Sequence, residues 1–338
     1  MRTDLGVDNV EIAPGVHQLK VPIPDNPLQF VNCYLIEGKR GWFLVDTGWH
    51  TDEAFHVLEV RLQELGLVPA DIATIIITHV HPDHFGLAGK IKQVSPNTKL
   101  LAHRWEWDFI EPRYIKFADL RSKMGAMLNQ HGVPPLDLSA LESASMPALQ
   151  FVTVTLPDEP LYGGEVINTG VYELEIIWTP GHSPGHICLY EPSNRLIFTG
   201  DHILPTITPN ISYHVQSGDN PLGDYIHSLK KLENLEVTSI LPGHEHVFND
   251  LRGRINEIIE HHEGRKQEIC QAIKTGFRTA YDISAVIHWD LPGLTWDEFP
   301  PLHKRSAVTE TIAHLECLRW EAKVRRIVQN DVIAYGLR

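Results

Sequence analysis

Ile75-Ile76-Ile77-Thr78-His79-Val80-His81-Pro82-Asp83-His84-Phe85-Gly86 is the stretch around which the rest of the chain is organised. Three β-branched apolar residues predict a buried strand. The strand runs into His-x-His-x-Asp-His, three imidazoles and a carboxylate within six residues. Packing gives no reason for such a cluster and metal binding does, because neutral imidazole and carboxylate are preferred zinc ligands. In an extended segment His79 and His81 point to the same side. Asp83 and His84 follow in a turn and can address a second point nearby, an arrangement that suits two adjacent metal ions.

The chain of 338 residues is long enough for one large domain and a smaller one, and 43% hydrophobic content supports a sizeable core. Cys33, Cys188, Cys270 and Cys317 are widely spaced and form no CxxC pair. That argues against a disulfide framework or zinc finger and for a reducing compartment. The first thirty residues lack an apolar stretch behind basic residues, and no run approaches the ~18 apolar residues of a membrane span. A soluble cytoplasmic protein is expected, with no membrane partner. The net charge of -14 is uneven: residues 1–250 carry 16 Lys and Arg against 31 Asp and Glu, residues 251–338 carry 13 against 12. An acidic catalytic half disfavours polyanionic substrates such as RNA, because phosphate binding relies on basic side chains.

Residues 10–21 and 28–46 read as strands with turns at Pro14-Gly15 and Gly38–Gly41. Asp46 closes a buried strand, where an acid is uncommon; it is either a turn former or a carboxylate that hydrogen-bonds a metal-bound histidine. Thr51 to Leu65 reads as an amphipathic helix capped by Thr51 and ended by Gly66. A helix is expected over 86–93 and a strand over 99–102. Residues 104–150 break this rhythm with an aromatic-rich helical segment, Arg104-Trp105-Glu106-Trp107-Asp108-Phe109-Ile110 onward. Ser139 is a candidate cap for a further short helix. This segment is either a helical insertion packed on its host or a lid that carries aromatic and Met side chains to an apolar pocket. Strands are then expected over 151–155, 166–168, 174–178, 186–190, 195–199 and 237–241. Three of them end in polar punctuation: Thr179-Pro180-Gly181-His182, Gly200-Asp201-His202 and Pro242-Gly243-His244-Glu245-His246. Beyond Leu251, helices over 252–263, 265–274, 282–289 and 306–323 precede two short β runs, an order that looks like a winged helix.

These residues, taken together, resemble the metallo-β-lactamase-fold hydrolases. The resemblance covers residues 10–250 and all five motifs: Asp46; His79, His81, Asp83 and His84; His182; Asp201; His244. The tail resembles the winged-helix appendage of some members, which places a catalytic domain over 1–250, with the insertion at 104–150, and a winged-helix-like domain over 251–338. The family implies an α/β fold, an αββα sandwich with the site along one edge of the β layers. It implies that His79, His81 and His182 hold one metal ion, that Asp83, His84 and His244 hold the other, and that Asp201 bridges them. Zn2+ is the expected pair of ions, with Fe or Mn as alternatives. The set is chemically coherent in itself. Nitrogen and oxygen ligands with open positions suit catalytic zinc, and two ions ~3.5–4 Å apart can share a hydroxide of lowered pKa. Asp83 could orient that hydroxide as well as bind metal, which makes it the catalytic candidate.

Around this set, Asp46 and His186 are expected to support ligands by hydrogen bonding. Tyr213, His214 and Trp105 are candidate substrate contacts; His202, His246, His50 and Trp49 are weaker candidates. The expected function is dinuclear metal-dependent hydrolysis of a small uncharged or apolar ester, thioester or lactone by the bridging hydroxide. An iron-dependent persulfide dioxygenase uses one iron and fewer ligands, and a nuclease or phosphodiesterase is disfavoured by charge. From another class, the winged helix could make the chain a DNA-binding regulator. Its near-neutral balance points instead to packing or a homodimer contact.

Overall fold

The computed structural model describes residues 9–338. The first sheet has seven strands in sequence order: β1 (Val10–Ala13), β2 (Val16–Pro22), β3 (Phe30–Ile36), β4 (Trp42–Val45), β5 (Ile72–Ile77), β6 (Lys99–His103) and β7 (Glu159–Leu161). Pairing is antiparallel from β1 to β4 and parallel from β4 to β7. The second sheet comprises β8 (Val166–Asn168), β9 (Glu173–Trp178), β10 (Ile187–Glu191), β11 (Leu196–Gly200) and β12 (Ser239–Pro242), in the order β12-β11-β10-β9-β8.

Side-chain alternation explains why the two sheets stack. In β5, Ile76 enters the core between the sheets while Ile75 and Ile77 enter a second core on the opposite face. The unbroken apolar run is therefore the signature of a strand covered on both faces. Tyr34, Val45 and Leu101 join Ile76 from the first sheet and meet Ile176, Leu189 and Phe198 from the second. The outer core of the first sheet is closed by α1 (Asp52–Glu64), α2 (Pro82–Phe85) and α3 (Ala88–Val94), through Leu58, Leu62, Phe85 and Ile91. Thr51 caps α1 by accepting from Ala54 N at 3.0 Å. The chain is an αββα sandwich, as the sequence predicts.

The insertion comprises α4 (Arg104–Ile110), one turn of π-helix (Glu111–Ile115), α5 (Phe117–Gln130), α6 (Pro135–Glu142) and a 3₁₀ segment (Met146–Phe151). Next come α7 (Pro221–Leu232), α8 (Leu251–Thr275), α9 (Ala280–Ser284), α10 (Pro301–Trp320) and the hairpin of β13 (Val324–Gln329) and β14 (Val332–Leu337). Helices α7, α8 and α10 cover the outer face of the second sheet through Leu229, Ile255 and Ala313. A separate core joins the insertion, through Leu128, Val133 and Leu141, to the tail, through Ile269, Ile312 and Tyr335.

Several local expectations are corrected. Residues 151–155 are not a strand: Phe151 O accepts from His50 N, Thr153 N donates to Gly86 O, and the Phe151 ring stacks on Trp49. These bonds tie the segment to neighbouring loops instead of to a sheet. Helix α6 starts at Pro135, and Ser139 lies inside it; Pro pre-sets the first helical turn without needing a cap. Helix α8 runs through Gly264 unbroken, because one mid-helix glycine costs only about 1 kcal/mol. The helix expected over 86–93 is α3, with the one-turn α2 as an addition before it, and the 282–289 helix is the shorter α9. The edge strand β7 and the helix α7 were not foreseen.

Candidate metal centre

Every motif residue follows the end of a strand. Asp46 follows β4, His79 follows β5, His182 follows β9, Asp201 follows β11 and His244 follows β12. The parallel run of strands brings these ends to one edge of the sandwich, where turns are free of the covering helices. The turns are tightly built. A Cβ on Gly243 would lie 2.7 Å from Asp201 Oδ1 and 2.8 Å from His84 Cε1, so only glycine lets the β12 loop approach the others. Asp46 itself sits at φ +60°, a left-handed conformation that Asp tolerates better than most residues.

Two groups of side chains converge on this edge, His79, His81 and His182 in one and Asp83, His84, Asp201 and His244 in the other. In the first, His81 Nδ1 lies 2.9 Å from His79 Nε2 and 3.0 Å from His182 Nε2. In the second, His244 Nε2 lies 3.2 Å from Asp83 Oδ2 and 3.4 Å from Asp201 Oδ1, and His84 Nε2 lies 3.3 Å from the same Asp201 oxygen. Asp201 turns its other oxygen to the first group, with Oδ2 3.7 Å from His182 Nε2 and 4.0 Å from His79 Nε2. One carboxylate thus serves both groups.

Hydrogen bonds behind the rings set which nitrogen faces the centre. His84 Nδ1 donates to Asp46 Oδ2 (2.8 Å), His244 Nδ1 to Phe30 O (3.0 Å) and His182 Nδ1 to Asn210 O (3.0 Å). Thr78 Oγ1 donates to Asp46 Oδ2 and receives His79 Nδ1 at 3.1 Å. These tautomers follow from the partners available. They leave His84 Nε2, His244 Nε2 and Asp201 Oδ1 buried with no hydrogen-bond partner. Two such ring nitrogens, 3.3 and 3.4 Å from an equally orphaned carboxylate oxygen, are costly unless a cation joins them. The donor set of imidazole and carboxylate fits divalent metal ions.

Electrostatics agree. Burial, reinforced by the neighbouring histidines, holds His79 and His81 well below the usual imidazole range, so they stand neutral and ready to bind. Burial also lowers His182. For His84 and His244, burial works downward too but is outweighed by carboxylates. Asp201, Asp46 and Asp83 hold His84 high, and Asp201 and Asp83 hold His244 at about 10. Asp201 is pushed well below the carboxylate range, because His244 and His84 outweigh its burial. Protons on the second group stand where a cation would.

His186 lies outside both groups. It receives Asp201 N at 3.2 Å on Nε2 and bonds Thr179 Oγ1 through Nδ1 at 2.9 Å, so it positions the Asp201 backbone. His202 is buried against Tyr225 and His246 is exposed; His50 bonds Thr153 Oγ1 at 2.7 Å. Sequence reasoning missed Glu106, a fully buried carboxylate on α4. Its Oε2 accepts from Val80 N at 2.8 Å, and its Oε1 accepts from Gly185 N at 2.8 Å and from Ser183 Oγ. It ties the loop carrying His79 and His81 to the loop carrying His182. Asn32 and Tyr34 were missed as well; both donate to Pro242 O, at 3.0 and 2.8 Å, and so anchor the turn before His244.

Beside the first group opens a cavity of about 300 Å3. His81, His182 and His214 line it together with the insertion, through Tyr114, Phe117 and Met124. Of the three candidate substrate contacts, only His214 is there. Trp105 is half-exposed and packs on Trp178, with ring centroids 6.3 Å apart. Tyr213 packs into the cores beneath the tail. Helical spacing puts Trp105 and Glu106 on different faces of α4, and the structure buries the face of Glu106 and Ile110.

The metallo-beta-lactamase superfamily matches residues 26–244. The chain is 24% identical over 325 residues to the "Probable metallo-hydrolase YqjP" of Bacillus subtilis, covering 94% of this chain and 96% of that one. It superposes with a TM-score of 0.81 on the crystal structure of a metallo-beta-lactamase family protein from Thermus thermophilus, at 30% identity over 97% of this chain and 100% of that one. A beta-lactamase domain protein from Burkholderia ambifaria gives a TM-score of 0.76 at 26% identity, over 98% and 95% of the two chains. With the sandwich, the site at its edge and these likenesses in agreement, the chain belongs to the metallo-β-lactamase superfamily and is a metallohydrolase.

Proposed function

We propose that this protein is a dinuclear metal-dependent hydrolase of a small ester, thioester or lactone with an apolar body. The observation that carries the reading is Asp201, which offers one oxygen to each of two ligand groups. His79, His81 and His182 would hold one ion and Asp83, His84 and His244 the other, with Asp201 offering one oxygen to each. Two divalent ions bound there, zinc by the preference of this donor set, supply an activated water at neutral pH and polarise the group under attack. Asp46 keeps His84 Nε2 turned toward the centre. Asp83, with one oxygen near His244, orients the attacking water and is placed to take its proton. Tyr114, Phe117 and Met124 receive the apolar body of the substrate, which makes the insertion a specificity wall. A one-iron dioxygenase would leave Asp83, His84 and His244 without a role.

The tail, read as a winged helix, serves packing or a homodimer contact in this proposal and not DNA binding. Helix α10 is buried on all sides from Ala307 to Leu318, and a helix enclosed in this way cannot enter a groove. Among the described residues no helix is long and apolar enough to cross a membrane. A reducing, cytoplasmic setting is part of the reading, supported by four cysteines without disulfide partners, three of them buried.

The test combines metal analysis of metal-reconstituted protein with a panel of thioesters, lactones and phosphodiesters. Two equivalents of metal and cleavage of carbon esters are expected, with His84→Ala and His244→Ala each binding only one equivalent. A single equivalent that both variants retain removes the dinuclear reading. Cleavage of phosphodiesters alone replaces the substrate class.

A further inference from the structure

The cavity beside His81 and His182 is not uniformly apolar. Arg113, from the π-helical turn between α4 and α5, and Arg305, from α10, both line it. Arg113 Nη1 is buried without a hydrogen-bond partner. Arg305 Nη1 donates to Ser145 Oγ at 3.1 Å, a neutral partner. Nearby basic residues are treated differently by the fold. Lys116 pairs with Glu111 at 2.7 Å, Lys304 lies 3.7 Å from Asp137, and Arg121 lies 3.9 Å from Glu142 on the same cavity wall. Among the described residues neither Arg113 nor Arg305 has such a carboxylate.

The two guanidinium groups also feel each other. Burial first, and then the Arg113 charge, bring Arg305 down to about 10. Burial followed by the same two arginines pushes His214 down to about 3, so His214 adds no charge to the cavity. Arg113 lines the same cavity as His81 and His182, which puts its charge beside the candidate centre. Two like charges on a partly enclosed wall, one with an orphaned donor, are unfavourable as they stand. A carboxylate or phosphate between them would satisfy the free donors, and the planar fork of arginine matches both. On the same wall Phe117, Leu120 and Met124 follow one another at helical spacing along α5, an apolar strip leading from the arginines. A single π-helical turn in an otherwise α-helical run, as at Arg113, is a common way to aim a functional side chain.

We propose that Arg113 and Arg305 bind a terminal anionic group of the substrate, so that the ester or thioester cleaved here has an apolar body and one anionic end. The inference rests on the hydrolase reading above and replaces an uncharged substrate by a singly ended anion. The anion is held by the insertion and the tail together, which gives their shared core a functional consequence: the binding site is complete only when both are docked.

The test uses binding and turnover on the metal-loaded full chain. Three hydrolysis-resistant amides with a similar chain are titrated calorimetrically: hexanamide, its ω-carboxylate counterpart adipamic acid, and 5-carbamoylpentyl phosphate. One of the two anionic probes is expected to bind at least tenfold tighter than hexanamide, and which one identifies the anion. Arg113→Met and Arg305→Met should each bring that ratio close to one, while Arg305→Lys, which keeps the charge and loses the fork, should retain part of it. Equal affinity for neutral and anionic probes overturns the proposal, as does a preference that survives in both Met variants. The latter would mean that the anion sits on the metal ions. S-phenyl thioesters of hexanoate and adipate separate the two levels of argument. Probe preference without cleavage of either thioester removes the hydrolase reading and leaves the anion site; equal cleavage of both, with no probe preference, removes the anion site alone.

Discussion

Glu106→Gln tests how the candidate centre is held together. The carboxylate accepts from Val80 N and Gly185 N, each at 2.8 Å, and from Ser183 Oγ, all in a buried setting. Glutamine has the same shape but one acceptor oxygen. Placed at Oε1 it keeps Ser183 and Gly185, and its NH2 then faces Val80 N–H, donor against donor. The loss is one charge-assisted hydrogen bond, worth ~1.5–3 kcal/mol, with a buried donor left unpaired. Taking ~2 kcal/mol and an unfolding entropy of about 2.1 cal/mol/K per residue, a chain of 338 residues loses about 3 °C in Tm. The functional effect should be larger than this. Val80 lies between His79 and His81, so its release loosens two ligand candidates at once, and loss of such supporting bonds typically costs 10–100-fold in metal affinity. Zinc affinity by chelator competition, read beside Tm, separates positioning from general stability. A purely structural role would lower Tm and leave affinity unchanged. An E106Q protein with wild-type metal affinity would refute the positioning role.

Metal binding should depend steeply on pH. Carboxylates keep His84 high and His244 at about 10, so both carry protons at pH 7 without metal, and a cation must displace them. Affinity for the ion at this group should therefore rise with pH from 6 to 8, with about two protons released per ion, measurable with a pH indicator in weak buffer; release of none would contradict the protonation pattern. Gly243→Ala drives a Cβ to 2.7 Å from Asp201 Oδ1 and should reduce bound metal by elemental analysis while far-UV circular dichroism stays unchanged. Phe117→Ala removes apolar surface from the cavity wall and should raise KM several-fold for the best substrate with metal content intact; unchanged kinetics would detach the insertion from specificity.

The sandwich and its motif edge were legible because their determinants are local. Ile75, Ile76 and Ile77 alternate between two cores, and a strand buried on both faces has to be apolar at every position. The spacing of His79, His81, Asp83 and His84 is a property of one short segment. Asp46 stood out for a similar reason, an acid at the end of a buried strand, and the structure places it on His84 Nδ1.

What only the tertiary structure decided involves partners far apart in sequence. Glu106 looks like one charge among aromatic residues until α4 folds across the loops holding Val80 and Gly185. Phe151 to Thr155 has strand-like residues, yet its hydrogen bonds go to His50 and Gly86. Net charge says nothing about the cavity: residues 1–250 are strongly acidic, yet the cavity wall brings together Arg113 and Arg305 from distant parts of the chain. A total charge averages over the whole surface, whereas a substrate meets only the few groups within hydrogen-bonding distance. No periodicity in the sequence records which groups those are, because a cavity is made by packing separate elements together.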